Sequence, residues 1–179
     1  MFASLILMGT MFIQVPSVNG YVHIGDSFIY LAAAFLPMPF SFLAAGLGAA
    51  LADVLSGYII YAPFTFVIKA LMAAFFSNKA EKFFTLRNAI AFVIAGCVNI
   101  LGYYIVEMIM FPQGSFTTTL INSLHTIPGN AVQSVTSSII FVIVSLAFDK
   151  INLKKTLDKI APAPINIFSL CFKPVGKCL

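Results

Sequence analysis

Three ionisable side chains lie inside long apolar runs of this 179-residue sequence, namely Asp53, Lys69 and Glu107. A charge inside an apolar segment is costly to bury, and such charges usually serve ligand binding, ion transfer or pairing. Asn130 and Gln133 add hydrogen-bonding groups in a later apolar run. Together, these carboxylates and amides are suited to read the edge of a small polar compound, or to pass protons between them.

A second polar group, formed by Tyr21, His23 and Asp26, lies in the first polar loop and at its junction with the next apolar segment. Five tyrosines supply flat faces on which a ring can stack: Tyr21, Tyr58, Tyr61, Tyr103 and Tyr104. A purely structural interpretation is also open. Lys69 would then pair with Asp53 or Glu107, Asp26 would cap a helix, and the amides would bond across helices.

The composition identifies the elements that must position these residues. Hydrophobic residues make up 60% of the chain, charged residues 9%, and the mean hydropathy is +1.01. A soluble domain has about 25% charged residues, so this chain is predicted to be an all-α membrane protein. The six expected helices span residues 2–15, 26–36, 40–60, 63–76, 88–111 and 127–148. They form one domain over 1–150, followed by a Lys-rich cytoplasmic tail over 151–179.

The distribution of basic residues predicts the orientation in the membrane. Lys79, Lys82 and Arg87 share one loop, and six further lysines follow the last apolar segment. Because Lys and Arg remain cytoplasmic, both termini are predicted to be cytoplasmic in a multi-pass protein of the cell membrane. This pattern explains the net charge of +4 without nucleic acid, and membrane lipid is the expected surrounding. The candidate polar residues of five segments then converge on the outer half of the bundle.

Motifs for catalysis are missing from the sequence. It contains no phosphate-binding Gly-rich loop, no HExxH zinc motif and no GxSxG serine, and its three cysteines show no metal-type spacing. We therefore expect no enzyme activity, no cofactor and no metal site.

The ordered motifs resemble the substrate-binding S components of energy-coupling factor (ECF) transporters, in the branch that includes hydroxymethylpyrimidine-, pyridoxine- and riboflavin-type members. The resemblance covers roughly residues 1–150. The motifs that carry it are Gly20-Tyr-Val-His-Ile-Gly-Asp26, Gly46-Leu-Gly-Ala-Ala-Leu-Ala-Asp53, Ser56-Gly-Tyr58, Ala62-Pro-Phe-Thr-Phe-Val-Ile-Lys69, Glu107 and Pro128-Gly-Asn130-x-x-Gln133.

The resemblance implies a six-helix protein that binds a vitamin from outside. It also implies partners, namely one transmembrane coupling protein and two ATPases, whose ATP hydrolysis drives release of the cargo inward. The loop from Tyr21 to Asp26 would form part of the gate.

Two features depart from the family pattern or leave a choice open. The first helix lacks the family's Ala-xxx-Ala docking surface and has only about 14 residues where a crossing needs about 20, so we expect its true start upstream of Met1. The third helix carries a stripe of small residues, which suits either packing inside the bundle or docking of another membrane subunit. The stripe comprises Ala45, Gly46, Gly48, Ala49, Ala52 and Ser56.

The leading hypothesis is therefore an S component that captures a B vitamin or its precursor, with hydroxymethylpyrimidine or a B6 vitamer favoured over riboflavin. Its predicted substrate-binding residues are Tyr21, His23, Asp26, Asp53, Tyr58, Lys69, Glu107, Asn130 and Gln133. The alternative is a stand-alone ion-coupled carrier, in which Asp53, Lys69 and Glu107 relay protons.

Overall fold

The computed structural model describes residues 1–17 and 20–160. These residues form a helical bundle with one short hairpin. In chain order the elements are α1 Phe2–Met11, β1 Gln14–Ser17, β2 Gly20–His23, α2 Gly25–Phe35, α3 Met38–Leu55, α4 Ala62–Ala74, α5 Leu86–Met110, α6 Phe116–Ser123, α7 Thr126–Lys150 and α8 Leu153–Ile160.

The helical, apolar character predicted from composition is confirmed. Within residues 1–17 and 20–160, three stretches are long and apolar enough to cross a membrane: Met38–Leu55, Leu86–Met110 and Phe116–Lys150. Three apolar helices are shorter, and they are α1, α2 and α4. The six predicted segments all contain a helix, whereas six crossings and cytoplasmic termini stay predictions. The tail beyond residue 160, including Cys171 and Cys178, lies outside the described residues.

The chain after α1 forms a hairpin where a continued helix and then a loop were predicted. α1 ends at Met11, and β1 pairs antiparallel with β2 in the register Val15↔Val22 and Pro16↔Tyr21. Pro16 explains the change, because the residue before a proline is driven toward extended backbone. The hairpin positions Tyr21 and His23 beside the bundle.

α2 occupies the centre of the bundle. It contacts α1, α3, α4 and α7, and its residues Ile29 to Ala34 are all buried. The ring of Tyr30 stacks on Phe76 with centroids 5.0 Å apart, and Phe141 meets it edge-on. Small alanines along α2 let its neighbours approach closely. Asp26, in the first turn, is thereby carried into the core.

The small-residue stripe of α3 serves packing within the bundle. A Cβ on Gly48 would lie 2.7 Å from the backbone oxygen of Ala3 and about as close to Ile6, both on α1. The neighbouring positions Ala45 and Ala49 are fully or almost fully buried. Gly48 therefore allows the close crossing of α1 and α3, which is the first of the two roles open for this stripe.

The charged loop between α4 and α5 is fastened to the far end of α7. Both carboxylate oxygens of Asp149 accept backbone N–H bonds, from Phe83 at 2.7 Å and Phe84 at 2.9 Å. Lys154 of α8 donates to the carbonyls of Asn78 and Ala80. Asp149 follows the first turn of α7 by more than twenty residues, or about 30 Å of helix. The basic loop and the first turns of α7 thus mark opposite ends of the bundle.

Candidate functional site

A pocket opens between the hairpin, the end of α3, the start of α4, the second half of α5 and the first turns of α7. It encloses about 650 Å³ of space between atoms, including its open mouth. Seven of the nine predicted binding residues line it: Tyr21, His23, Asp53, Tyr58, Glu107, Asn130 and Gln133. The other lining residues are Val22, Tyr61, Tyr103, His125, Thr126 and Gly129.

The end of α3 fixes two of these side chains. Gly57 has φ of +88°, its N–H bonds to Val54 O at 3.3 Å, and the N–H of Tyr58 bonds back to Asp53 O at 2.8 Å. This is a Schellman cap, which needs a left-handed residue and therefore favours glycine. It ends α3 five residues earlier than predicted. The cap turns the chain back so that Tyr58 lies over Asp53, and both side chains face the pocket.

The hairpin reaches this cap through Tyr21. Its hydroxyl donates to Asp53 Oδ1 at 2.7 Å, and its ring lies 5.2 Å from that of Tyr58 at a tilt of 54°. Burial, together with the charge of Asp53, raises the pKa of Tyr21, so the phenol stays protonated and keeps donating. Tyr21 therefore closes one wall of the pocket by a side-chain hydrogen bond between the hairpin and α3.

Gln133 holds the other side of the hairpin. Its Oε1 accepts the backbone N–H of His23 at 3.3 Å, while its Nε2 donates to Asp26 Oδ2 at 2.8 Å. One amide thus links the hairpin, α2 and α7, and it is 2% exposed. Gln133 lines the pocket, but both ends of its amide already have partners in the protein.

Asp26 and Lys69 lie behind Gln133 and do not line the pocket. Lys69 Nζ is 2.7 Å from Asp26 Oδ1 and donates to Asn99 Oδ1 at 2.7 Å, with both charged side chains fully buried. The sequence alternative paired Lys69 with Asp53 or Glu107, and that pairing is wrong. The actual partner comes from the first turn of α2, which the bundle brings against α4.

A second polar group lies across the pocket on α5. Glu107 Oε2 accepts from the hydroxyl of Tyr61 at 3.0 Å, and His125 Nε2 is 3.6 Å from Oε1. Tyr103, four residues earlier on α5, shares a 3.0 Å hydrogen bond with Thr65 of α4. Asn130 turns its Nδ2 back to the Thr126 carbonyl at 3.0 Å.

Sequence reasoning missed His125, Thr126 and Gly129 as pocket residues. It ended the preceding polar stretch at His125 and began the last helix at Ile127, whereas α7 begins at Thr126. The signal was present, because positions 126, 129, 130 and 133 follow the i, i+3, i+4, i+7 spacing of one helix face. A face defined by Asn130 and Gln133 therefore includes Thr126 and Gly129, whereas His125 precedes the helix as its N-cap.

His23 is buried in the hairpin, outside the helices, so we predict that its protonation makes the stability of the protein depend on pH. Burial lowers the pKa of His23 to about 4 and outweighs Asp26, which raises it; its Nδ1 accepts the Gly25 N–H at 3.0 Å. Between pH 6.5 and 4 the His23 ring is protonated in the unfolded chain but stays neutral in the folded chain. The contribution of His23 to the free energy of unfolding is therefore fully present above pH 6.5 and is lost as the pH falls toward 4.

We expect the free energy of unfolding to fall by about 2 kcal/mol between pH 7 and pH 5 through this group. His23→Asn keeps an acceptor for the Gly25 N–H without titrating, so its unfolding should lose that part of the pH dependence. Denaturant unfolding in detergent at both pH values, followed by circular dichroism, measures the difference. Equal pH dependence in the two proteins would contradict the assignment.

These features define a class of protein: a helical, membrane-type bundle with a tyrosine-lined polar pocket at the end opposite its basic loop. Among the described residues, no cluster of three or more His, Cys, Asp or Glu side chains could hold a metal ion. The arrangement is suited to hold a ring compound by its faces and edges.

The family model for the ECF-type riboflavin transporter S component matches residues 1–150. The chain belongs to this family, which confirms the resemblance to S components of ECF transporters, while the branch within them stays a prediction. It is therefore a substrate-binding subunit of an ECF transporter, and its family is not an enzyme family. An "Uncharacterized protein in gap 3′region" of Pyrococcus woesei is 32% identical over 115 residues, which are 63% of this chain and 76% of that protein.

Proposed function

We propose that this subunit captures a small planar nitrogen heterocycle, a B vitamin or its precursor, for ATP-driven uptake. The observation that carries the proposal is the combination, in one pocket, of tyrosine rings from three segments with carboxylate and amide groups. Aromatic faces hold a flat ring by stacking, and the polar groups select the pattern of donors and acceptors on its edge.

The residues take distinct roles in this proposal. Tyr58 and Tyr103 stack on the ring, Glu107 accepts hydrogen bonds from ring amino groups, and Asn130 reads the remaining edge. Tyr21 and His23 belong to the gate, because the hairpin that carries them forms one wall and is held by the hydrogen bonds that it donates to Asp53 and Gln133.

Asp26 and Lys69 act indirectly in this proposal. Their ion pair supports Gln133 from behind, since Asp26 Oδ2 accepts the Gln133 amide. We infer that the pair fixes the rotamer of Gln133, and through it the closed position of the hairpin. This differs from direct contact with the cargo, which the sequence had suggested for both residues.

The favoured cargo is hydroxymethylpyrimidine or a B6 vitamer, and riboflavin, which the family description names, is the larger candidate. The partner module consists of a transmembrane coupling protein and two ATPases. In the multi-pass membrane arrangement that the family implies, the pocket faces outward and the basic loop faces the cytoplasm.

A binding screen tests the proposal. Purified protein in detergent is titrated calorimetrically with hydroxymethylpyrimidine, pyridoxine, pyridoxamine and riboflavin, and melting is followed by circular dichroism because the chain has no tryptophan. We expect one of these compounds to bind with nanomolar affinity without ATP or an ion gradient. Absence of binding by folded protein to all four would contradict the proposed cargo class.

Transport assays separate this function from the ion-coupled carrier. An S component in liposomes should accumulate its cargo only with the coupling protein, both ATPases and ATP. Uptake driven by a proton gradient in the subunit alone would favour the carrier instead. The carrier's proposed relay through Lys69 has little support, because Lys69 is paired with Asp26 and hydrogen-bonded to Asn99.

A further inference from the structure

The pocket has an excess of negative charge. Asp53 and Glu107 both line it, and among the described residues no Lys or Arg does. The nearest buried cation, Lys69, already has Asp26 as its ion-pair partner. Glu107 has the His125 ring 3.6 Å away and a hydrogen bond from Tyr61, whereas Asp53 forms no ion pair within 4 Å among the described residues.

Asp53 is held in a geometry that leaves one oxygen available. The side chain is 7% exposed, and Oδ1 accepts the Tyr21 hydroxyl at 2.7 Å. Oδ2 is buried, and no donor among the described residues meets it in hydrogen-bonding geometry, since the nearby Thr65 hydroxyl is engaged with that of Tyr103. A buried carboxylate oxygen with no donor is costly, and a cationic donor satisfies it better than a neutral one.

Aromatic rings surround the same carboxylate. Tyr21 and Tyr58 lie with ring centroids 5.2 Å apart, and Tyr61 is 6.4 Å from Tyr58, nearly edge-on. The faces of tyrosine rings carry negative electrostatic potential and attract cations that come within about 6 Å. Tyr103 already shows this behaviour, since Lys69 Nζ lies 5.3 Å from its ring centroid on the buried side.

We propose that the pocket selects a ring compound bearing a positive charge, with Asp53 as its counter-ion and the tyrosines Tyr21, Tyr58 and Tyr61 as the walls around it. This rests on the proposed function and narrows its cargo class. Neutral heterocycles bind less tightly, and anionic forms, such as carboxylated or phosphorylated vitamers, are rejected by the carboxylates.

Two matched ligand series test the charge preference. Pyridoxamine, pyridoxine and 4-pyridoxate share one ring and differ in an ammonium, alcohol or carboxylate substituent, and the corresponding aminomethyl-, hydroxymethyl- and carboxy-pyrimidines repeat the design. In at least one series we expect the ammonium compound to bind at least tenfold more tightly than the alcohol at pH 7.5. We expect no measurable binding of the carboxylate.

The variant Asp53→Asn should reduce the ratio between ammonium and alcohol compounds to within about threefold. Glu81→Gln, which removes a carboxylate at the other end of the bundle, where Glu81 pairs with Lys155, should leave the ratio unchanged. An Asp53→Asn protein that retains the full ratio would overturn the assignment to Asp53. The wild-type ratio remains decisive if this variant fails to fold.

The outcomes for the proposed function and for this inference are distinct. Equal affinity for ammonium and alcohol compounds, or tighter binding of the alcohol, would overturn the charge preference while leaving the capture of a heterocycle intact. Failure of both series and of riboflavin to bind folded protein would overturn the cargo class and the charge preference together.

Discussion

Replacing Lys69 with methionine is expected to remove about 3 to 5 kcal/mol from the free energy of unfolding, the largest effect of any single change considered. Methionine fills much of the same space but leaves Asp26 as a buried carboxylate without its cation. It also removes the donor to Asn99 Oδ1. Denaturant unfolding in detergent, followed by circular dichroism, measures the loss.

A second variant keeps this prediction testable if Lys69→Met does not fold. In the double variant Asp26→Asn/Lys69→Met neither member of the pair is left as an unpaired buried charge, so most of the lost stability should return. The matched control is Lys155→Met, which breaks a pair that is 57% and 77% exposed and should change stability by less than about 1 kcal/mol. Wild-type stability in Lys69→Met would show that the ion pair contributes nothing.

The buried pair of Asp26 and Lys69 is an example of a contact that could not be predicted from the sequence. Sequence position gave each charged residue a depth along its helix, because the rise per residue is fixed. It did not give the direction in which each side chain points around the bundle, since that depends on how helices pack. Lys69 therefore had two acidic candidates, Asp53 and Glu107, and Asp26 was interpreted as a cap, gate or binding residue although it enters the core.

The apolar helices, and the seven suggested residues that line one pocket, could be predicted because each rests on a local signal. A polar side chain in an apolar run is visible without knowledge of the fold. The hairpin and α6 were missed because β1, β2 and α6 are only four to eight residues long. Segments of that length carry weak periodicity, and their structure depends on tertiary contacts such as the Tyr21–Asp53 hydrogen bond.

The end of α3 was missed for a different reason. The residues Ser56-Gly57 contain the expected stop signal, a glycine just past the last helical turn. The apolar run continues through Ile59 and Ile60, and it outweighed the glycine in the prediction. In the structure α3 ends just before this glycine, because the cap satisfies carbonyls of the last turn that a membrane environment would otherwise leave unpaired.

Replacing Glu107 with glutamine is expected to weaken ligand binding by more than about tenfold. Glutamine keeps the shape of the side chain but replaces a charged acceptor, and hydrogen bonds to charged groups are stronger than neutral ones. Calorimetric titration with the compound selected by the binding screen measures the change. Glu81→Gln is the control for removing a carboxylate elsewhere, and unchanged affinity in Glu107→Gln would remove Glu107 from the site.

The contact between Glu107 and His125 requires one further comparison, which distinguishes direct contact of Glu107 with the ligand from an effect of Glu107 on the orientation of His125. If Glu107 accepts directly from the ligand, Glu107→Gln should still cost about tenfold in a His125→Asn background. If it only positions His125, the second substitution should add nothing to the first. Tyr61→Phe, which removes the donor to Glu107 Oε2 but keeps the ring, should cost less than Glu107→Gln, since the charge remains.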